Sequence, residues 1–334
     1  MPVDQMTAAI LHTLPAQRLF VEQVPRPTLD RDDDVVLRVD ACGICGTDVH
    51  IMSGHSYKPD LPFVLGHEPV GTVVEAGAAA AEWLGRRCVI TLFTGCGRCE
   101  ACASGDERLC LDVVSDTGVF GVWGGYAEYL LVHAAQLVEV PDGLGSPEAA
   151  SLVDAGATAA NSVRVAMARD PKRALIIGAG PIGLIAAELL RDQGVEVQIV
   201  QRSKPRRDAV AALGYEAFPT IEETTGPFEV AIDATGFAAA FNPAIAKLGP
   251  RGELIQAGYA VVPDADFAEL SHKEGVIRGI RSGSRADLEH VIALAAAGRI
   301  RLPEVSTWPL ASINDALAAL DAKQVPGKAV ITPA

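Results

Sequence analysis

The sequence predicts an α/β fold in which a doubly wound parallel sheet accompanies a mainly-β region. Two observations carry this. From Ala174 the continuous apolar run Ala-Leu-Ile-Ile leads into Gly178-Ala-Gly180-Pro181-Ile182-Gly183 and then an apolar helix ending near Gly194. A strand buried on both faces reads as such a run, and a glycine turn between strand and helix opens a βαβ unit. Before that point, from about Thr7 to Val39, short apolar stretches alternate with Pro-rich turns, the pattern of antiparallel strands, and strand character resumes at Gly71–Ala76.

The chain has 334 residues, enough for two domains, and its 49% hydrophobic content supplies ample core. A formal charge of −14 argues against nucleic acid or an anionic membrane surface as partner. The longest apolar run, 174–187, is interrupted by glycines and a proline and ends at Glu188, so no membrane span is expected. The opening Met-Pro-Val-Asp-Gln has neither the basic nor the apolar segment of a signal peptide. Seven cysteines in such a chain predict thiols and metal sites rather than disulfides, and a cytoplasmic location.

Taken in order, the acidic stretch Asp30–Asp34 reads as a solvated turn, followed by a strand at Val35–Val39. That strand leads into Cys42-Gly-Ile-Cys45-Gly-Thr47-Asp-Val-His50, and Pro62–Gly66 delivers His67 and Glu68 near a strand start. Thiolate, imidazole and carboxylate in one segment form the mixed donor set that zinc favours. By spacing, Cys42 and Cys45 both qualify as the thiolate. Thr47 and His50 suit proton transfer better than coordination. Cys96, Cys99, Cys102 and Cys110, spaced C-x2-C-x2-C-x7-C, predict a closed tetrahedral structural zinc site ordering a lobe at 94–112. Phe93 and Trp123 flank these segments, as core or as pocket wall. Residues 147–168 are Ala-rich with helical spacing, and Asp154 there reads as an acid near a helix start, the position of a cap.

In the turn at 178–183 the first glycine permits the bend, the second allows backbone approach to a pyrophosphate, and the third permits close helix packing. The next strand, Val195–Val200, ends at Gln201, where an NAD-selective fold places Asp or Glu against the ribose 2′-hydroxyl. Arg202, Ser203, Lys204, Arg206 and Arg207 follow. No carboxylate repels a 2′-phosphate there and several cations attract one, so NADP(H) is expected over NAD(H). Further strands are expected at Phe228–Asp233, Gly252–Gly258 and Val276–Ile280. A helix from Arg281 with Ser284 as its cap follows, and then a closing strand at Gly327-Lys-Ala-Val-Ile.

Together the GICGTDVH and GHE segments, the four-cysteine lobe, GGYAEY, GAGPIG and GKAVI resemble the zinc-containing medium-chain alcohol and polyol dehydrogenases. The resemblance implies a Rossmann domain, 154–282, inserted in a GroES-like mainly-β catalytic domain formed by 1–153 and 283–334. It implies Cys45 and His67 as ligands of a catalytic zinc, with either Asp154 or Glu68 as the third. It also implies Thr47 and His50 as a proton relay, and Thr158 beside the nicotinamide. The substrate would be a small alcohol, ketone or polyol, and the assembly a homodimer or homotetramer. Two other readings are a zinc-independent NADPH enone or quinone reductase and a non-catalytic binding protein on the same fold. The retained Cys45, Thr47 and His67 weigh against both.

Overall fold

A computed structural model describes residues 4–259 and 261–333. The chain forms two compact units, one of Met1–Asp154, Ser284–Ala296 and Glu304–Ala334, the other of Ala155–Gly283 and Ala297–Pro303.

The first unit is mainly β. Its larger sheet runs in the order Leu137–Glu139, Arg87–Ile90, Glu68–Ala76, Asp34–Ile44, Lys328–Thr332, Val305–Pro309, and Tyr129–His133 is added to the Asp34–Ile44 strand. That long central strand is buried along most of its length, which its Val-, Leu- and Ala-rich sequence dictates. On one side it pairs antiparallel with Glu68–Ala76. On the other it pairs with Tyr129–His133 at its start and with Lys328–Thr332 at its end. The register sets Gly43 opposite both Glu68 and Val330. Three segments remote in sequence, around Cys45, His67 and Lys328, therefore meet at one end of one strand. A smaller sheet, Phe20–Pro25, Gln5–Leu11 and Phe63–Val64, completes the unit. The cysteine lobe hangs from the short hairpin of Phe93–Thr94 with Ser115–Asp116.

The second unit holds a six-stranded parallel sheet ordered Glu216–Phe218, Glu196–Val200, Arg173–Ile177, Phe228–Asp233, Leu248–Gln256, Val276–Gly279. The α/β expectation holds, and this strand order is that of the doubly wound dinucleotide fold. The turn after Ile177 enters the helix Pro181–Asp192 with Gly180 as N-cap. A Cβ on Gly183 would lie 1.9 Å from the Gly178 carbonyl oxygen, so the close packing expected of the third glycine is real.

Three expectations are corrected. Asp34 is buried rather than solvated: its Oδ2 accepts from the N–H groups of Asp30 and Arg31, and its Oδ1 lies 2.9 Å from His133 Nδ1. Cys42, the rival thiolate by spacing, is a core residue, fully buried, with its thiol directed at the Gly43 carbonyl. Asp154 is no helix cap. It lies inside a π-turn, Leu152–Gly156, between the helices Ser146–Ser151 and Ala157–Met167. Such a turn inserts one residue into the helical ladder and re-aims the side chains it carries.

Candidate active site

Cys45 directly follows the central strand and is the N-cap of the helix Gly46–Met52. Asp48, third in that helix and fully buried, reaches back so that Oδ2 accepts from the Cys45 N–H at 2.8 Å and from the Tyr126 hydroxyl at 2.9 Å. Its other oxygen lies 3.6 Å from His67 Nδ1. The opposite imidazole nitrogen, Nε2, lies 3.8 Å from Asp154 Oδ2. Ligand atoms of Cys45, His67, Glu68 and Asp154 all fall within 4.8 Å of one another. Two nitrogen or oxygen ligands on one tetrahedral zinc stand about 3.4 Å apart. One sulfur, one nitrogen and carboxylate oxygen converging at that scale fit zinc. Asp48 stands on the side of His67 where a carboxylate can orient a ligating imidazole, 3.6 Å from Nδ1 and so beyond hydrogen-bond distance.

Glu68 is held differently. Lys328 Nζ donates to its Oε1 at 2.6 Å and touches Oε2 as well, and both side chains are buried. A Cβ on Gly43 would strike Glu68 Oε2, so glycine there makes room for the pair. Burial pushes the Glu68 carboxyl above its ordinary range, with Lys328 and His67 opposing. Burial alone would depress the Lys328 ammonium, yet the charges of Glu68 and Cys45 carry it upward. His67 is likewise raised, because Asp48 and Asp154 outweigh its burial.

Thr47 Oγ1 lies 3.7 Å from Cys45 Sγ, beside the ligand cluster. His50 stands three residues later on the same helix and is exposed, so the two share a face running from site to solvent. Sequence reasoning assigned no role to Asp48, Tyr126 or Lys328. Asp48 was detectable as the third residue of a capping arrangement on Cys45. For Lys328 no local signal exists, since its partner is 260 residues away.

The four cysteines also converge, their sulfurs within 4.8 Å. Cys99 Sγ lies 3.5 Å from Cys102 and 3.7 Å from Cys110, against about 3.8 Å for the edge of a zinc–tetrathiolate tetrahedron. No disulfide links them. Backbone N–H groups of Arg98 and Cys99 hold the Cys96 thiol down to about 6, and the Cys102 N–H lowers Cys99. Local desolvation pushes Cys102 up to about 12. Preformed N–H donors of this kind stabilise the thiolates a metal requires.

In the second unit Gly178, Gly180, Pro181, Ile182 and Gly183 form the turn above the Arg173–Ile177 strand. A Cβ on Gly180 would meet nothing within 4 Å, so the protein itself imposes no glycine there. Gln201 follows the neighbouring strand, its Oε1 accepting from Ser203 N–H at 3.2 Å. Arg202 and Ser203 are exposed, Arg206 half-buried, and Thr158 buried in the helix after the π-turn.

Residues 31–142 match the family model of the alcohol dehydrogenase GroES-like domain, and residues 147–270 match that of the glucose dehydrogenase C-terminus. An alcohol dehydrogenase of Geobacillus stearothermophilus is 31% identical over 98% of this chain and 98% of its own. The chain belongs to the zinc-type medium-chain alcohol and polyol dehydrogenase family. The enzyme is therefore an NAD(P)-dependent oxidoreductase of the alcohol dehydrogenase type, a class that uses zinc and a nicotinamide cofactor. Among solved structures it is similar to the cobalt- and zinc-bound thermostable alcohol dehydrogenase of Pyrobaculum aerophilum. The TM-score is 0.90 and identity 29%, covering 99% of this chain and 100% of that one. Similar too is the acetophenone reductase of Geotrichum candidum in complex with NAD, with TM-score 0.89 and 26% identity over 99% and 98% of the two chains. Among the described residues no helix is long and apolar enough to cross a membrane.

Proposed function

We propose that the enzyme exchanges a hydride between NADP(H) and a small alcohol, ketone or polyol, with Cys45, His67 and Asp154 holding the catalytic zinc. The observation that carries this ligand set is the buried Lys328–Glu68 pair. Glu68 already has its cation, whereas Asp154 faces the His67 nitrogen opposite the one that faces Asp48. When bound, zinc acts as a Lewis acid toward the substrate oxygen and the nicotinamide carries the hydride. The protein's own groups do the rest. Asp48 fixes the His67 ring, Lys328 keeps Glu68 from adding a second uncompensated charge, and Thr47 takes the substrate hydroxyl proton. His50, exposed on the same helix, is the group from which that proton would leave to solvent.

The four cysteines are read as the structural zinc site. Thr158 is read as a nicotinamide neighbour, and Gly180 as the point where the pyrophosphate approaches the backbone. The preference for NADP(H) rests on Gln201 where an acid would stand. Ser203 at the start of the Lys204–Ala212 helix and the cations Arg202 and Arg206 support it. Residues 1–153 and 283–334 are taken as the catalytic domain and 154–282 as the cofactor domain. Self-association into a dimer or tetramer would use the outer edge of the Val276–Gly279 strand.

Zinc content and carbonyl reduction by NADPH, measured together, test the reading. About two zincs per chain should fall to one in Cys45→Ala, with activity lost. Asp154→Asn should weaken zinc more than Glu68→Gln does. One zinc in both wild type and Cys45→Ala would refute the catalytic centre, and the reverse order of the two carboxylate variants would make Glu68 the ligand.

A further inference from the structure

We propose that Phe237 is a specificity-determining residue that presents the Arg202 guanidinium to the cofactor's 2′-phosphate. This rests on the reading of the enzyme as NADP(H)-preferring. The strands that precede Arg202 and Phe237, Glu196–Val200 and Phe228–Asp233, flank the Arg173–Ile177 strand on either side. Their two following loops therefore stand on opposite sides of the glycine turn, at the carboxyl ends of the strands where a dinucleotide lies. The Arg202 guanidinium reaches across, its Cζ 4.6 Å from the centre of the Phe237 ring. Phe237 is half exposed, so burying the ring in a core is not its purpose.

The neighbouring cations differ from Arg202. Lys204 is engaged by Asp208 at 2.7 Å. Arg207 donates to the carbonyls of Gln201 and Arg202 at 2.8 and 2.6 Å. Among the described residues, the Phe237 ring is the sole partner of the Arg202 side chain. A guanidinium over an aromatic ring spends none of its N–H groups on a hydrogen-bond acceptor, so they stay available to bind a phosphate in bidentate fashion. A long side chain on an exposed loop is thereby held in one orientation before the ligand arrives, which lowers the entropy lost on binding.

Phe237 itself is set by a buried support. Asp233 accepts from Thr235 N–H and Oγ1 at 2.7 and 2.6 Å and from Gln256 at 3.0 Å. Thr235 Oγ1 in turn accepts from the Phe237 N–H at 3.1 Å. The ring is thus tied to the sheet through its own backbone, and the guanidinium is tied to the ring. Phe237 acts through Arg202 and is a positioning residue.

The test is fluorescence titration of NADPH, NADH and 2′,5′-ADP against wild type, Phe237→Ala, Phe237→Tyr, Arg202→Gln and the double variant Phe237→Ala/Arg202→Gln. Phe237→Ala should weaken NADPH and 2′,5′-ADP by about two- to fivefold, the range of an exposed cation–π contact, and leave NADH unchanged. Phe237→Tyr should retain wild-type affinity, and the double variant should bind no more weakly than Arg202→Gln alone. If Arg202→Gln weakens NADPH while Phe237→Ala spares it, the role of Phe237 is overturned and the NADP(H) reading stands. Equal losses of NADPH and NADH in Phe237→Ala would make the ring a direct adenine contact, and would also overturn it. Wild type that binds NADH more tightly, with Arg202→Gln silent, overturns the NADP(H) reading and the inference with it.

Discussion

Replacing Lys328 by Met keeps most of the length of the buried side chain and removes its charge, leaving Glu68 without its paired cation. Breaking one partner of a buried pair destabilises by about 3–5 kcal/mol. A second route gives an independent figure. Glu68 can escape its charge by taking up a proton, and for a carboxyl of ordinary pKa near 4.3 that costs about 3.7 kcal/mol at pH 7, at about 1.36 kcal/mol per unit. The two agree, so the deficit at pH 7 should be near 4 kcal/mol. Its pH dependence follows from the direction in which burial already pushes this carboxyl. A carboxyl raised in the folded state binds its proton there first, so acid favours the folded variant. The deficit should shrink to about 1.6 kcal/mol at pH 5.5. Urea unfolding of wild type, Lys328→Met and Lys328→Met/Glu68→Leu, in chelator so that no metal competes for the carboxylate, measures all three. The double variant should recover most of the loss, because an apolar pair replaces an ion pair at little net change. A deficit below about 1 kcal/mol at pH 7, or one indifferent to acid, would refute the reasoning.

Other expectations concern the metal sites and acid stability. Asp48→Asn should lower the affinity for catalytic zinc by about 10- to 100-fold, read by competition with a chromophoric chelator, since His67 loses its orienting carboxylate. Unchanged affinity would show that the 3.6 Å approach does no such work. Cys99→Ser should remove one zinc per chain and expose the 94–112 lobe to protease while Cys45 keeps its metal; loss of both zincs would mean the sites are not independent. Glu188 offers a pH test away from any metal. Burial alone would raise its carboxyl, but the Arg301 side chain and N–H and the Tyr215 hydroxyl hold it below the ordinary range. Its stabilisation is present above the unfolded pKa of about 4.3 and is lost as pH falls through the lower folded value. Thermal midpoints from pH 7 to 3 should therefore fall less steeply in Glu188→Gln than in wild type, and parallel curves would contradict this.

What could be read from the sequence was whatever the chemistry writes locally. The four thiols and the glycine turn each depend on spacings of a few residues, and both are assembled at those spacings. The Cys45–Thr47 segment was legible for the same reason. Asp154 was visible as an acid in a helical stretch, but helical spacing cannot announce a π-turn, and the cap reading failed there. Asp34 looked like surface by composition, yet the two N–H groups folded over it and His133 bury it. Lys328 and Tyr126 were out of reach because strand register, not sequence proximity, brings them to Glu68 and Asp48. The stacking of Phe237 under Arg202 likewise requires knowing which strands flank which.

The register that sets Gly43 opposite both Glu68 and Val330 also bears on how the polypeptide is made. Glu68 leaves the ribosome 260 residues ahead of Lys328. At about 5–20 residues per second the gap is on the order of 13–50 seconds. Throughout it the first sheet lacks a strand and the acid lacks its base, while the whole parallel sheet is synthesised and free to fold. The later unit is thus positioned to mature first, and the earlier one to wait, its acid protonated or still in water, for the strand that closes it.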